Sequence, residues 1–366
     1  MEEIYNIPVY KPDLSGNEKL YVLDCLDSSW ISSKGKYISL FEEKFATYCG
    51  VNFAASACNG TASLHLALLA LGIGPGDEVI VPTLTYVASV NAISYVGATP
   101  VFCDSLYSTW QINPEEVRKK VTVKTKAIMA VHLYGHPCEI DTLRSICQLN
   151  NLFLIEDCAE AIGALYKGQR VGTFGDISTF SFFGNKTITC GEGGMVVTNQ
   201  EYLDQRVRSF KGQGLAQNRE YWHDVLGYNY RMTNIEAAIG LAQLEKVDEF
   251  LYKKKKIAEL YSSIFSASKI HFQKENEDCA HSYWMFSILA SNLYERDRLR
   301  QYLDKNKIET RPVFYPIHTL PIYNHIKEVH DVAEDLSSRG INLPSYPGLT
   351  DEQVIFIAEK VISFHS

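Results

Sequence analysis

The chain has 366 residues, 46% of them hydrophobic and 21% charged, with a formal net charge of −8. That length exceeds one ordinary core and implies two domains, while the acidic balance argues against a nucleic-acid partner, for which a basic face is expected. Nine cysteines with no CxxC pair fit reduced thiols in a cytoplasmic protein better than a disulfide framework or a zinc site.

In chain order, the acidic opening Met1-Glu2-Glu3 gives no signal-peptide pattern, and no uninterrupted apolar stretch is long enough to cross a bilayer. Residues 17–26 and 39–48 read as helices bracketing a loop around Trp30. Phe53–Ala57 reads as a strand and Ala62–Leu71 as an apolar helix. Between them, Asn59-Gly60-Thr61-Ala62-Ser63 leaves the amides of Gly60 and Thr61 at a helix N-terminus with a hydroxyl alongside, a ready anion site for a phosphate. Threonine and asparagine also cap helices with no ligand at all, and no Gly-Lys-Ser/Thr follows, so this is not a Walker loop. Gly72-Ile-Gly-Pro-Gly76 follows a helix and precedes a strand, the reverse of the dinucleotide-binding order. It reads as a helix stop and turn, which removes the main support for a nicotinamide oxidoreductase.

Strand-like runs then alternate with helical ones to about residue 245: Glu78–Pro82, Thr99–Asp104, Ala127–Leu133, Leu152–Asp157 and Met195–Thr198. Such alternation predicts a large α/β domain with a mostly parallel sheet covered by helices. His132 and His136 have metal-like spacing, but Gly135 and Pro137 make a loop of that segment, so no metal is expected. The apolar run at 152–155 ends in Glu156-Asp157. In open α/β sheets ligands sit beyond the carboxyl ends of the strands, and a carboxylate there can hold a cationic ring nitrogen. Either acid reads equally well as a cap on the next turn.

Alternation of Ile177, Thr179 and Ser181 with Phe180 and Phe182 marks another strand, broken by Gly184-Asn185. Lys186 follows that break, close to three phenylalanines. Desolvation there lowers the pKa of an ammonium, and an amine that sheds its proton near neutrality can form a Schiff base. Taken alone, Lys186 also reads as a turn residue whose stem lies on the aromatics with its head in water. Asn234–Leu251 is an amphipathic helix leading to Lys253-Lys-Lys-Lys256, expected to be a solvated helix surface near a domain boundary. The remainder reads as a smaller α+β domain, with a helix at 294–305 and a strand-like Ile308–Val313. The expected division is residues 1–250 and 251–366.

A phosphate cradle, an acid at a strand end, and a lysine twenty-nine residues after that acid occur in this order. With them stand Ile7-Pro-Val-Tyr-Lys-Pro12, Trp30-Ile-Ser-Ser-Lys-Gly35, Gly76-Asp-Glu-Val-Ile-Val-Pro-Thr-Leu-Thr-Tyr86 and His132-Leu-Tyr-Gly-His-Pro137. Ser181-Phe-Phe-Gly-Asn-Lys186, Gly227-Tyr-Asn-Tyr-Arg-Met232 and Arg311-Pro-Val-Phe-Tyr-Pro316 complete the set. The chain thereby resembles the DegT family of sugar-nucleotide aminotransferases nearly end to end.

The resemblance implies a fold type I pyridoxal 5'-phosphate enzyme, its large domain built on a mostly parallel seven-stranded sheet beside a smaller α+β C-terminal domain. It implies Lys186 as the residue that carries the cofactor, Asp157 on the ring nitrogen and Tyr86 stacked on the ring. Glu160 would reach the ring hydroxyl, Gly60, Thr61 and Ser181 the phosphate, and Asn229 the phosphate of a neighbouring subunit in a homodimer with composite sites. A related branch that dehydrates such sugars carries histidine at the lysine position, so Lys186 favours transamination. L-glutamate is the implied donor. The implied acceptor is GDP-4-keto-6-deoxymannose, aminated at C4 for surface polysaccharide (O-antigen) biosynthesis, with another nucleotide-linked ketosugar or a small phosphorylated ketone as alternatives. Trp30, Lys34, Arg311, Tyr315 and His318 supply the cation, aromatic and hydrogen-bonding groups that a sugar diphosphate needs. Cys190 departs from the family pattern, which has threonine there.

Overall fold

The computed structural model describes residues 6–216, 218–268, 270–325 and 327–364. Its centre is a seven-stranded sheet in the order Phe53–Ala57, Gly194–Thr198, Ile177–Ser181, Phe153–Asp157, Thr125–Val131, Glu78–Pro82, Thr99–Cys103. Gly194–Thr198 runs antiparallel to both neighbours, and every other pairing is parallel. Side chains alternate between two apolar cores, as expected of a sheet covered on both faces. Val79, Val81, Met129 and Ile155 enter one core, and Ile80, Ile128 and Leu154 enter the other. Parallel running brings several strand carboxyl ends to one edge, where the loops that follow them meet.

A second, four-stranded antiparallel sheet has the order His271–Phe272, Phe286–Leu289, Gly340–Leu343, Arg311–Pro312. Helices Val247–Ser266, Leu293–Lys305 and Asp351–Phe364 cover it. The chain's beginning belongs to this smaller core: Ile7 forms a parallel bridge with Ile308 and is buried beside Tyr261 and Phe286. Among the described residues no helix is long and apolar enough to cross a membrane.

Asn234–Leu251, expected as one helix, is two. Asn234–Leu244 starts on a capping box between Thr233 and Glu236, and Lys246, at φ −109° and ψ 4°, separates it from Val247–Ser266. The second helix runs through the expected division at 250/251, with Val247 and Phe250 in the large core and Ile257, Tyr261 and Phe265 in the smaller one. Its lysine run is not uniformly solvated. Lys255 and Lys256 are exposed, but Lys254 lies on the inner stripe with Phe250, Ile257 and Tyr261 and is 0% exposed. Its Nζ donates to the carbonyls of Ser345 (2.6 Å) and Trp284 (3.3 Å), and burial pulls its pKa down to about 7.

Candidate active site

Gly60, Thr61, Tyr86, Asp157, Glu160, Ser181 and Lys186 line a single cavity of about 370 Å³ at the carboxyl edge of the large sheet. Asp157 and Ser181 end their strands, and the others enter from the loop or helix start that follows one. At helix Gly60–Leu71, Asn59 Oδ1 accepts from Ala62 N (2.8 Å) and Asn59 O from Ser63 N (3.1 Å). The two preceding amides, of Gly60 and Thr61, keep no partner among the described residues. A Cβ on Gly60 would stand 2.7 Å from Ser181 Cβ and 3.0 Å from its Oγ, so the backbone of Gly60 lies directly against Ser181. Two free amides at a helix N-terminus beside a hydroxyl make an anion cradle.

Strand alternation separates the two acids that the sequence left equivalent. Glu156 points into one core, where its carboxylate accepts from the amides of Gly172, Phe174 and Gly175 at 2.7–2.9 Å and meets His132 Nε2 at 3.1 Å. Those bonds account for the approach of His132 to Glu156, and Cys158 lies beside them. Asp157 points the other way, into the cavity. Among the described residues it accepts only from Ser89 Oγ (2.8 Å) and the amide of Ala159 (3.0 Å), is 4% exposed, and has its pKa raised by burial. A buried carboxylate with two neutral donors calls for a cation, which a protonated ring nitrogen supplies.

Lys186 follows the strand Ile177–Ser181 on a turn whose carbonyl at residue 186 accepts from the hydroxyl of Tyr10. Its side chain is 13% exposed, with Nζ 3.8 Å from Glu160 Oε1 and 3.9 Å from the ring centre of Trp284. Burial lowers the amine's pKa and raises that of Glu160 to about 7, so the pair is pushed toward its neutral forms. Glu160 is held in place by the amide of Tyr134 at 2.7 Å. A neutral buried amine is a competent nucleophile and proton acceptor. The anion cradle, the cation-seeking acid and this amine together fit pyridoxal phosphate.

Arg311 and Tyr315 line an adjoining hollow of about 670 Å³, which shares Thr85, Tyr86, Phe183, Asn185, Trp284 and Phe314 with the first. Tyr86 stands 56% exposed at the junction, its ring 5.5 Å from that of Phe314. The other residues singled out in the sequence lie elsewhere. Asn229 is exposed and outside the cavity, its Oδ1 accepting from Arg231. Trp30 and Lys34 sit on an exposed loop apart from both hollows. His318 is buried, with Nδ1 2.7 Å from Thr83 Oγ1 and Nε2 3.1 Å from Glu334, which leaves no ring nitrogen for a ligand. Cys190 is a packing residue: its Sγ would lie 2.6 Å from a Cβ on Gly240.

Sequence reasoning missed Ser89, Asn185, Glu192 and Trp284, all of which line the cavity. Ser89 sits one turn into the helix Val87–Tyr95, and Trp284 reaches in from just before a strand of the smaller sheet. Neither carries a local signal. Asn185 Oδ1 is buried without a partner among the described residues.

A family model described as the DegT/DnrJ/EryC1/StrS aminotransferase family matches residues 12–362. GDP-perosamine synthase of Escherichia coli O157:H7 is 61% identical over 361 residues, covering 98% of this chain and 99% of that protein. GDP-perosamine synthase of Vibrio cholerae is 53% identical over 352 residues, 95% of this chain and 96% of that one. Spr1654 from Streptococcus pneumoniae, solved in its PLP form, superposes with a TM-score of 0.93 at 30% identity across 98% of both chains.

Proposed function

The chain belongs to the DegT/DnrJ/EryC1/StrS aminotransferase family as a pyridoxal-phosphate-dependent sugar aminotransferase, and we propose that it moves the amino group of L-glutamate to C4 of GDP-4-keto-6-deoxymannose, giving GDP-perosamine. The observation that carries the reading is the buried Lys186 amine, set in one cavity with Asp157 and the Gly60-Thr61 amides and open to the hollow of Arg311 and Tyr315. Full-length likeness to two proteins named GDP-perosamine synthase supports the choice of sugar.

Bound pyridoxal phosphate supplies a carbonyl that takes up amines and a ring that draws electrons from the carbon being deprotonated. The protein does the rest. Gly60, Thr61 and Ser181 would hold the phosphate, Asp157 would keep the ring nitrogen protonated, and Tyr86 would pack on the ring. The Lys186 amine would take the α-proton of glutamate and deliver a proton to the sugar carbon in the return half-reaction. Glu160, 3.8 Å from Nζ, fixes where that amine rests. Arg311 is paired with Glu309 at 2.6 Å, but its side chain is 62% exposed. An exposed pair is worth about 0–1 kcal/mol, so Arg311 readily exchanges it for a diphosphate oxygen.

The working form is a homodimer with shared sites. Asn229 stands outside its own cavity, and Leu20, Leu23, Leu26, Tyr221 and Leu226 are large apolar side chains that a monomer leaves exposed to water. Mixing inactive Lys186→Ala with a weak Asn229→Ala variant then restores activity, since one site of each heterodimer has both native residues. Nine free cysteines suit a cytoplasmic location.

Pyridoxamine-form protein offered GDP-, UDP- and dTDP-linked 4-ketosugars and a small keto-phosphate decides the acceptor. The GDP-ketosugar should show the highest kcat/KM, and a markedly better UDP- or dTDP-ketosugar, or keto-phosphate, overturns the assignment. Arg311→Lys should raise KM for the nucleotide sugar and leave the glutamate half-reaction nearly intact. If both halves fall together, Arg311 serves the glutamate carboxylate or the fold instead.

A further inference from the structure

The indole of Trp284 lies over the Lys186 amine, with Nζ 3.9 Å from the ring centroid, well inside the reach of a cation–π contact. Three partners fix that ring. Its Nε1–H donates to the carbonyl of Asn185 at 2.7 Å, and its face stacks on Tyr134 at 6.0 Å and 18°. Lys254 donates to its backbone carbonyl at 3.3 Å. Asn185 immediately precedes Lys186, so one side chain from the smaller sheet's edge both ties down the lysine turn and covers the amine. Trp284 is 4% exposed, so the ring is largely withdrawn from solvent.

The charged and titratable groups around the amine are few. Glu160 is 3.8 Å away, Asp157 acts on it from the neighbouring strand end, Tyr10 binds the carbonyl of the same residue, and Lys254 meets the backbone carbonyl of Trp284. Burial of the amine disfavours its charged form, and Glu160, itself pushed up to about 7 by burial, is an incomplete countercharge. A base that must accept a proton and later give it up needs support for its ammonium without a strong ion pair that would trap the proton. An aromatic face offers that: it favours the cation, and it binds less tightly than a buried carboxylate partner.

We propose that Trp284 is a catalytic residue whose indole face stabilises the ammonium formed when Lys186 takes up a proton. The amine gains one proton from the substrate carbon and passes one on, and Trp284 itself neither gains nor loses any. The inference rests on Lys186 being the reacting amine.

In protein loaded with pyridoxamine phosphate, Lys186 is free, and brief acetic anhydride labelling across a pH series with peptide mass spectrometry reads its titration without turnover. Relative to wild type, Trp284→Leu should lower the Lys186 midpoint by about one pH unit, and Trp284→Phe by less, because its ring is a weaker cation acceptor. Identical midpoints in all three proteins overturn the proposal, whatever happens to the melting temperature, because a purely packing role moves stability alone. Should Trp284→Leu not fold, Trp284→Phe decides by the same measurement. Borohydride reduction of wild-type protein in its pyridoxal form, run in parallel, tests the lysine independently. An adduct on another lysine overturns the functional reading, whereas an adduct on Lys186 with unmoved midpoints overturns only the role of Trp284.

Discussion

Lys254→Met separates the cost of burying an amine from the packing of its stem. Lys254 is fully buried, and its Nζ meets two backbone carbonyls, neither of them a countercharge. Its pKa is about 7 in the fold, against 10.5 when freely solvated. Between those values the unfolded chain holds the proton more tightly, so wild-type stability must rise with pH across that window. At 1.36 kcal/mol per unit the whole span corresponds to about 5 kcal/mol, and about 2 kcal/mol of it falls between pH 7 and pH 9. Methionine fills similar space and does not titrate, but it leaves the Ser345 carbonyl unpaired, while the Trp284 carbonyl keeps the Ser345 hydroxyl at 3.4 Å, at a pH-independent cost of about 1–3 kcal/mol. The offset between variant and wild type at one pH therefore decides nothing, and the slope decides everything. Chemical denaturation at pH 7, 8 and 9 should show wild type gaining about 2 kcal/mol more than Lys254→Met. Parallel stability curves for the two proteins refute the reasoning and mean that the folded amine is not held below its solvated value.

Three further predictions follow from the site and its supports. Asp157→Asn keeps shape and removes charge, so cofactor binding should weaken modestly while kcat for the glutamate half-reaction falls roughly 10²-fold; near-normal turnover would mean that another group holds the ring nitrogen. Gly60→Ala places a methyl 2.7 Å from Ser181 Cβ, and equilibrium dialysis should show cofactor affinity reduced roughly tenfold, an unchanged Kd ruling out the cradle. For Glu42, burial raises the pKa, but Lys211 at 3.0 Å and Arg208 at 2.8 Å outweigh it and hold the carboxylate at about 2. The stability it contributes is present above its unfolded value of 4.5 and is lost as pH falls toward 2, so Glu42→Gln should cost about 3–5 kcal/mol at pH 7 and flatten the acid limb of a melting-temperature profile.

What was legible in the sequence was what strand and helix periodicity encode. Gly60, Thr61, Asp157 and Lys186 stand out from local pattern, because a motif at a strand end fixes its own place in a parallel sheet, whereas Tyr86, Glu160 and Ser181, which line the same cavity, follow only from the resemblance. Glu156 and Asp157 could not be told apart until it was known which face each took, and a run of two acids does not say. The break at Lys246 has no glycine or proline to announce it, and both halves are good helix. Lys254 looked like one of four equal cations, although its spacing from Phe250, Ile257 and Tyr261 is that of a core position. Trp284 and His318 come to their places through contacts with residues far away in the chain, Asn185 for one and Thr83 for the other, a relation that no local window contains. His318, grouped with the substrate residues by its neighbourhood in sequence, is instead consumed by Thr83 and Glu334.

The bridge from Ile7 to Ile308, reinforced by the bond from Val9 N to Glu309 across 300 residues of sequence, bears on how the molecule is made. At ribosomal rates of about 5–20 residues per second, roughly 15–60 s separate the emergence of those two partners. During that interval Ile7, buried in the finished protein, has no counterpart to pair with. Tyr10, three residues on, is the group whose hydroxyl holds the carbonyl of Lys186. The Lys186 turn is thus secured by a segment that waits for the smaller sheet, and contacts of such long sequence separation are slow to form. The Tyr10 contact on that turn is complete only when synthesis is nearly over.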